Sequence, residues 1–236
     1  MTSQKLIIVK NVKMIEPTDK IGRITLYNAD CMEVMKTFKD KQFDLAIVDP
    51  PYGIGAGGKT FINRNTKNER AEKFYKDNDW DKKRPPKKYF DELYRISKNQ
   101  IIWGANYFVD IIKPSRCFVV WDKKTGANSY ADCELAMTSF DANARVFTKF
   151  WLGAHAQDID GRIHPTQKPV ELYEWLLLNY AKEGDTILDT HFGSLSIGIA
   201  CEKLGFELTA IELDKDYYRM AKQRLLNFKK QLTIEF

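Results

Sequence analysis

Short apolar runs recur along the chain at Ile24–Tyr27, Leu45–Val48, Gln100–Trp103, Cys117–Trp121, Thr186–Leu188 and Phe206–Ile211. Runs this short and this continuous predict strands buried in a parallel sheet. Between them the period lengthens to that of a helix. Met32, Met35 and Phe38 share one side of a helix predicted over Cys31–Phe38, and Leu172, Trp175, Leu176 and Tyr180 share a face of Val170–Ala181. Further helices are predicted over Pro86–Ser97, Leu195–Leu204 and Asp216–Phe228. Leu6–Met14 alternates as a strand and, across a turn at Pro17–Gly22, predicts an edge hairpin with Ile24–Tyr27. Cys133–Phe140 and Ala144–Trp151 predict a second hairpin turning at Asp141–Asn143. Strands alternating with helices make an α/β fold with a mostly parallel sheet.

A chain of 236 residues is most simply one domain, residues 1–236, with one core. Its net charge of +5 permits a polyanionic partner without requiring one. Distribution says more than the total. From Lys59 to Lys88 eleven basic residues stand against five acidic ones, interleaved with Phe61, Phe74, Tyr75 and Trp80. Cations for phosphates mixed with rings for bases make residues 53–88 a candidate DNA-contact loop, the alternative being a solvated loop. Cys31, Cys117, Cys133 and Cys201 form no Cys-x-x-Cys pair, and His155, His164 and His191 lack ligand spacing. A metal site is not expected, and reduced thiols fit a cytoplasmic protein. Met1–Lys13 lacks the apolar core of a signal peptide, and no stretch is long enough to span a bilayer.

The chemistry concentrates after the Leu45–Val48 strand, which stops at Asp49-Pro50-Pro51-Tyr52. Read alone, the tetrapeptide is either a stiff turn or a grip for a flat heterocycle bearing an amino group. In the second reading Asp49 and the Pro50 carbonyl accept the two amino hydrogens while the Tyr52 ring stacks on the base. Pro51 stiffens the backbone between them. A second strand ends at Asp189 and leads through Phe192-Gly193-Ser194 into a helix, so that Gly193 lets a ligand approach the backbone at a helix N-terminus. Glu212 follows about 20 residues after the glycine turn, the spacing of a ribose-hydroxyl acceptor or, equally, of a helix-capping carboxylate. Asp30, at the end of the Ile24 strand, reads as a helix N-cap.

Asp49-Pro50-Pro51-Tyr52, His164-Pro165-Thr166-Gln167-Lys168-Pro169 and Ile187-Leu188-Asp189 through Gly193-Ser194 occur in that order. In this the chain resembles the beta class of S-adenosylmethionine-dependent DNA amino-methyltransferases, from Ile24 onward. The resemblance implies a single three-layer Rossmann-like domain with a circularly permuted motif order and a seven-stranded, mostly parallel sheet carrying one antiparallel edge strand. It implies S-adenosylmethionine as cofactor, held by Asp30, His164, Lys168, Asp189, Phe192, Gly193, Ser194 and Glu212, with Lys168 near the cofactor carboxylate. Asp49, Pro50, Pro51 and Tyr52 become catalytic, the partner double-stranded DNA, and the product N6-methyladenine, in a restriction-modification or phage setting. Methylation of the cytosine N4 amino group is the alternative, as is a catalytically inactive DNA-binding relative. The latter arises because Thr190 and Leu195 stand where the resembled family usually has proline and glycine, and Leu195 is expected to narrow the cofactor approach. Trp151 to His164 is too short for the recognition insert common in that class, and a homodimer is left open.

Overall fold

The computed structural model of the protein describes residues 14–55, 81–126, 131–151 and 162–234. In chain order its strands are β1 (Asp19–Ile21), β2 (Ile24–Asn28), β3 (Phe43–Val48), β4 (Ser97–Trp103), β5 (Phe118–Asp122), β6 (Cys133–Thr138), β7 (Arg145–Thr148), β8 (Thr186–Asp189) and β9 (Glu207–Glu212). The helices are α1 (Cys31–Met35), α2 (Lys87–Ile96), α3 (Val170–Tyr180), α4 (Ser196–Leu204) and α5 (Lys215–Ile234). Among the described residues the strands form one sheet in the order β1-β2-β9-β8-β3-β4-β6-β5-β7.

Side chains alternate across a strand, so the continuous apolar run of β3 serves two faces at once. Leu45 and Ile47 pack with Leu172 and Leu176 of α3, Ile197 and Ala200 of α4 and Tyr218 and Leu225 of α5. Ala46 and Val48 pack on the other face with Val34 and Met35 of α1 and Tyr89, Phe90 and Leu93 of α2. The result is three layers with a core on each side of the sheet, as the sequence predicts.

The sheet departs from expectation in three ways. It has nine strands rather than seven. Its antiparallel members are β1 at one edge and β6 in the interior, where β6 runs against both β4 and β5. Finally, β6 and β7 do not form a hairpin. β5 lies between them, antiparallel to β6 and parallel to β7. The predicted turn at 141–143 therefore carries the chain across β5, whose buried Val119 and Trp121 take β6 on one edge and β7 on the other. Local pattern identifies strands, but their neighbours are chosen by which edges bury the most apolar surface. At the opposite edge β2 pairs with Asp19–Ile21. Most of the Leu6–Met14 run expected there lies outside the described residues, and Met14 itself is not in a strand. The helix expected over Cys31–Phe38 ends at Met35.

Leu195 enters α4 with φ 57°, in the left-handed region that glycine favours. Its side chain is 1% exposed and turns into the core over Gly198, where an added Cβ would meet Leu195 Cγ at 2.7 Å. It therefore packs under the helix and does not narrow the cavity described below. The left-handed conformation costs about 1–2 kcal/mol, less than the roughly 2–5 kcal/mol lost when a buried leucine is truncated. Leu195→Ala is accordingly expected to destabilise the protein by about 2–5 kcal/mol, and Leu195→Gly by about 1–2 kcal/mol less, in urea denaturation. Equal losses in the two variants would remove strain from the explanation.

Candidate active site at the switch point of the sheet

β3 and β8 run side by side in the same direction, with Leu45 opposite Ile187 and Ala46 opposite Leu188. From this pair the crossovers diverge, β3 leading by α2 to β4 on one side and β8 by α4 to β9 on the other. The carboxyl ends of the pair thus bound a crevice that neither crossover covers, the place where open α/β sheets hold ligands. A cavity of about 370 Å³ occupies it.

The cavity gathers eleven of the twelve residues that the sequence singles out. Asp30 lines it from beyond β2, and Asp49, Pro50, Pro51 and Tyr52 from beyond β3. His164 and Lys168 reach it from the turn before α3, Phe192, Gly193 and Ser194 from the turn before α4, and Glu212 from the end of β9. The twelfth, Asp189, is not in the wall. It is buried at the end of β8, where its Oδ1 accepts the His191 amide at 2.9 Å.

Local chemistry explains these placements. Asp30 caps α1, accepting the Met32 amide at 2.7 Å. The 164–169 motif closes as a turn in which the Gln167 amide donates to the His164 carbonyl at 3.1 Å, while Trp151 Nε1 donates to the Gln167 carbonyl at 3.1 Å. Glu212 accepts the amides of Gly193 (3.0 Å) and Asp214 (2.9 Å), tying the turn after β8 to the end of β9. The first turn of α5 is capped by Asp214 instead, which accepts from Asp216 and Tyr217.

Beyond β3, Tyr52 Oη donates to Asp49 Oδ1 at 2.5 Å. The Tyr52 ring stacks on Tyr107, centroids 4.8 Å apart and planes 15° from parallel, so this partner already covers one of its faces. On Gly104 an added Cβ would fall 2.1 Å from the ring, which makes glycine a requirement there. Asp81, 1% exposed, accepts the Gly53 amide at 2.9 Å and fixes the exit of the tetrapeptide. Lys168 lines the same cavity. Its ammonium is paired with Asp49 Oδ2 and lies 3.0 Å from Glu134 Oε2.

Burial decides most protonation states here. It pushes Asp189 up to about 8 and Glu212 up to about 7, and it pushes His191 down to about 4. Burial, with the Arg162 and Lys168 charges, pushes His164 down to about 3. Both imidazoles are therefore neutral at pH 7. Sequence reasoning missed a contact chain in which Tyr89 Oη meets Thr190 Oγ1 at 2.6 Å, Thr190 Oγ1 meets His191 Nδ1 at 2.9 Å, and His191 Nε2 lies 3.7 Å from Cys31 Sγ. These groups come from three distant segments and leave no local signal. Asp81 and Glu134 were missed for the same reason.

Comparison with known proteins agrees with this geometry. Residues 119–223 match the family model for DNA methylase. The chain is 25% identical to Type II methyltransferase M2.DpnII of Streptococcus pneumoniae, over 91% of this chain and 94% of that protein. It shares its fold with M1.HpyAVI, solved as a complex with SAM (TM-score 0.54, 21% identity, 86% of this chain and 98% of that one). It shares it also with the PvuII DNA methyltransferase, described as cytosine-N4-specific (TM-score 0.59, 10% identity, 92% of this chain and 94% of that one). Sheet order and switch-point cavity define the class as a Rossmann-like α/β fold. Within that fold, residues 119–223 carry the similarity to the DNA methylase model, and the similarity to a Type II methyltransferase runs nearly the full length of the chain.

Asp189 and Glu212 hold protons in the folded protein that ordinary carboxyls near pKa 4 release on unfolding. Their contribution to stability is therefore full below about pH 4 and is lost as pH rises through 7 to 8. Asp189→Asn removes one of the two, so its melting temperature relative to the parent is expected to be higher at pH 8.5 than at pH 5. A pH-independent difference in thermal denaturation would show that Asp189 is not held protonated.

Proposed function

We propose that the protein transfers a methyl group from S-adenosylmethionine to the exocyclic N6 of an adenine swung out of double-stranded DNA. The observation that carries this reading is the placement of Asp49-Pro50-Pro51-Tyr52 in the wall of the switch-point cavity, together with the 164–169 turn and the Gly193 turn. The residues present fit the cofactor. Glu212, in the cavity wall, is a carboxyl driven toward neutrality by burial, and a ligand carrying positive charge would favour its ionised form. A cavity of about 370 Å³ lies within the usual size range of small-molecule sites.

Asp30 and Glu212 would hold the adenosine portion, with Phe192, Gly193 and Ser194 beneath it and His164 alongside. When bound, the cofactor supplies a methyl group on a sulfonium, activated for direct displacement. The work of the chain is then orientation and electrostatics. An exocyclic amino nitrogen is a poor nucleophile because its lone pair is delocalised into the ring. Asp49 and the Pro50 carbonyl, as acceptors for its two hydrogens, favour the tetrahedral geometry and stabilise the charge that develops on nitrogen. Tyr52 supports the extruded base, a contact of about 1–3 kcal/mol that offsets the unstacking cost.

Lys83 and Arg84 stand at the cavity as the described end of the basic 53–88 loop, whose residues 56–80 lie outside the described structure. Lys83 is assigned to the DNA backbone, while the Arg84 guanidinium is held by both carboxylate oxygens of Asp110, at 2.7 and 2.6 Å. No helix among the described residues is long and apolar enough to cross a membrane. The four free cysteines accord with a cytoplasmic, reducing setting. The similarity to a Type II enzyme favours a restriction-modification role.

Incubation with labelled S-adenosylmethionine and unmethylated DNA, followed by nucleoside analysis, is expected to yield N6-methyl-2′-deoxyadenosine. N4-methyl-2′-deoxycytidine would keep the mechanism and change the base. No product from the folded protein would leave a DNA-binding relative. Asp49→Asn is expected to lower kcat by about 100- to 1,000-fold, the scale of losing one transition-state partner, with cofactor binding by calorimetry unchanged. Near-parental turnover in that variant would remove Asp49 from the chemistry.

A further inference from the structure

The Lys168 ammonium is 2% exposed and is approached by two carboxylates, Asp49 from beyond β3 and Glu134 from the interior strand β6. Glu134 in turn receives Lys123 Nζ at 2.6 Å on its other oxygen. Lys123, Glu134, Lys168 and Asp49 thus form a line of alternating charge that sums to zero and ends at the tetrapeptide. Trp103 and Trp121 wall this line, with Lys168 Nζ 5.4 Å from the centre of the Trp103 ring and Lys123 Nζ 5.1 Å from that of Trp121. The line is built by register, because β6 sets Glu134 opposite Trp121 and Ala136 opposite Trp103.

A single buried carboxylate facing one buried ammonium would be drawn fully onto it and would lose its capacity to accept from a substrate. A second carboxylate divides the attraction. Glu134 is held strongly acidic, at about 2, by the Lys168 and Lys123 charges despite its burial, so it keeps its charge throughout the working range.

We propose that Glu134 is a positioning residue for methyl transfer. By sharing the Lys168 ammonium it holds the Asp49 carboxylate oriented and leaves Oδ1, the oxygen on the Tyr52 side, with acceptor capacity for the amino group of the target base. Lys168 is the intermediary, and Lys123 fixes Glu134. This rests on the methyltransferase reading above and assigns a role to the β5–β6 half of the sheet, which carries none of the three motifs.

Glu134→Gln keeps the shape and removes the charge. Its kcat is expected to fall about 10- to 100-fold, the scale of a misplaced catalytic group, while the KM for S-adenosylmethionine and cofactor binding by calorimetry stay at parental values. Because Glu134 acts through Lys168, Glu134→Gln combined with Lys168→Met should be no slower than the slower single variant. Glu134→Asp should recover part of the rate. If Glu134→Gln does not fold, the charge-balanced pair Glu134→Gln with Lys123→Gln takes its place in the same assays. Parental kcat in a folded Glu134 variant overturns the proposal, as does a loss confined to cofactor KM, which would return Lys168 to the cofactor. Independent, multiplicative losses in the double variant overturn it too. Failure of the parental protein itself to methylate DNA would defeat the functional reading, and activity in the parent isolates the test to Glu134.

Discussion

A fully buried ammonium is tolerated only where carboxylates meet it, and Lys168 is met by two. That pairing joins three parts of the chain that are distant in sequence. The 164–169 turn brings the lysine, β3 delivers Asp49 at its end, and β6 inserts Glu134 between β4 and β5. The interior position of the antiparallel strand thereby acquires a consequence for the site as well as for the sheet. A reversed strand at the edge would not have carried Glu134 to this place.

Around that pairing, small residues set the distances. Gly104 lets the Tyr52 ring lie on the backbone at the end of β4, and Tyr107 closes over it, so the ring has a defined orientation with its hydroxyl on Asp49. Gly193, at φ 50°, passes close to the His164 ring and hands its amide to Glu212. Leu195 shows the opposite solution, a large side chain kept in a left-handed conformation because its burial outweighs the strain. The departure from the resembled family at this position is therefore absorbed by the core beneath α4, away from the cavity. Thr190, the other departure, does line the cavity and links Tyr89 to His191.

Much of the fold was legible because both faces of a parallel strand are dry. The β3 run, the strand ending at Asp189 and the helix over 170–180 all follow from short-range apolar pattern. The motif residues were legible as well, and eleven of them share the cavity wall. Illegible were the nine-strand order, the separation of β6 from β7 by β5, and the pairing of Lys168 with Asp49 across 119 positions of sequence. Each depends on partners chosen by edge pairing or by charge neutralisation in the interior, neither of which has a local period. Asp189 illustrates the same boundary. Its place at a strand end could be read, but its withdrawal from the cavity and its raised pKa follow from packing.

By itself, then, the sequence determined the α/β class, the alternation of strand and helix, the rigid Asp49–Tyr52 corner and the glycine turn at 193. Those features are written in side-chain period and in backbone freedom, which act over a few residues. The tertiary structure alone decided which strands became neighbours, that Glu134 and Lys168 would meet Asp49, and which carboxyls would be held neutral. Those outcomes depend on burial, and burial exists only once distant segments have closed over one another.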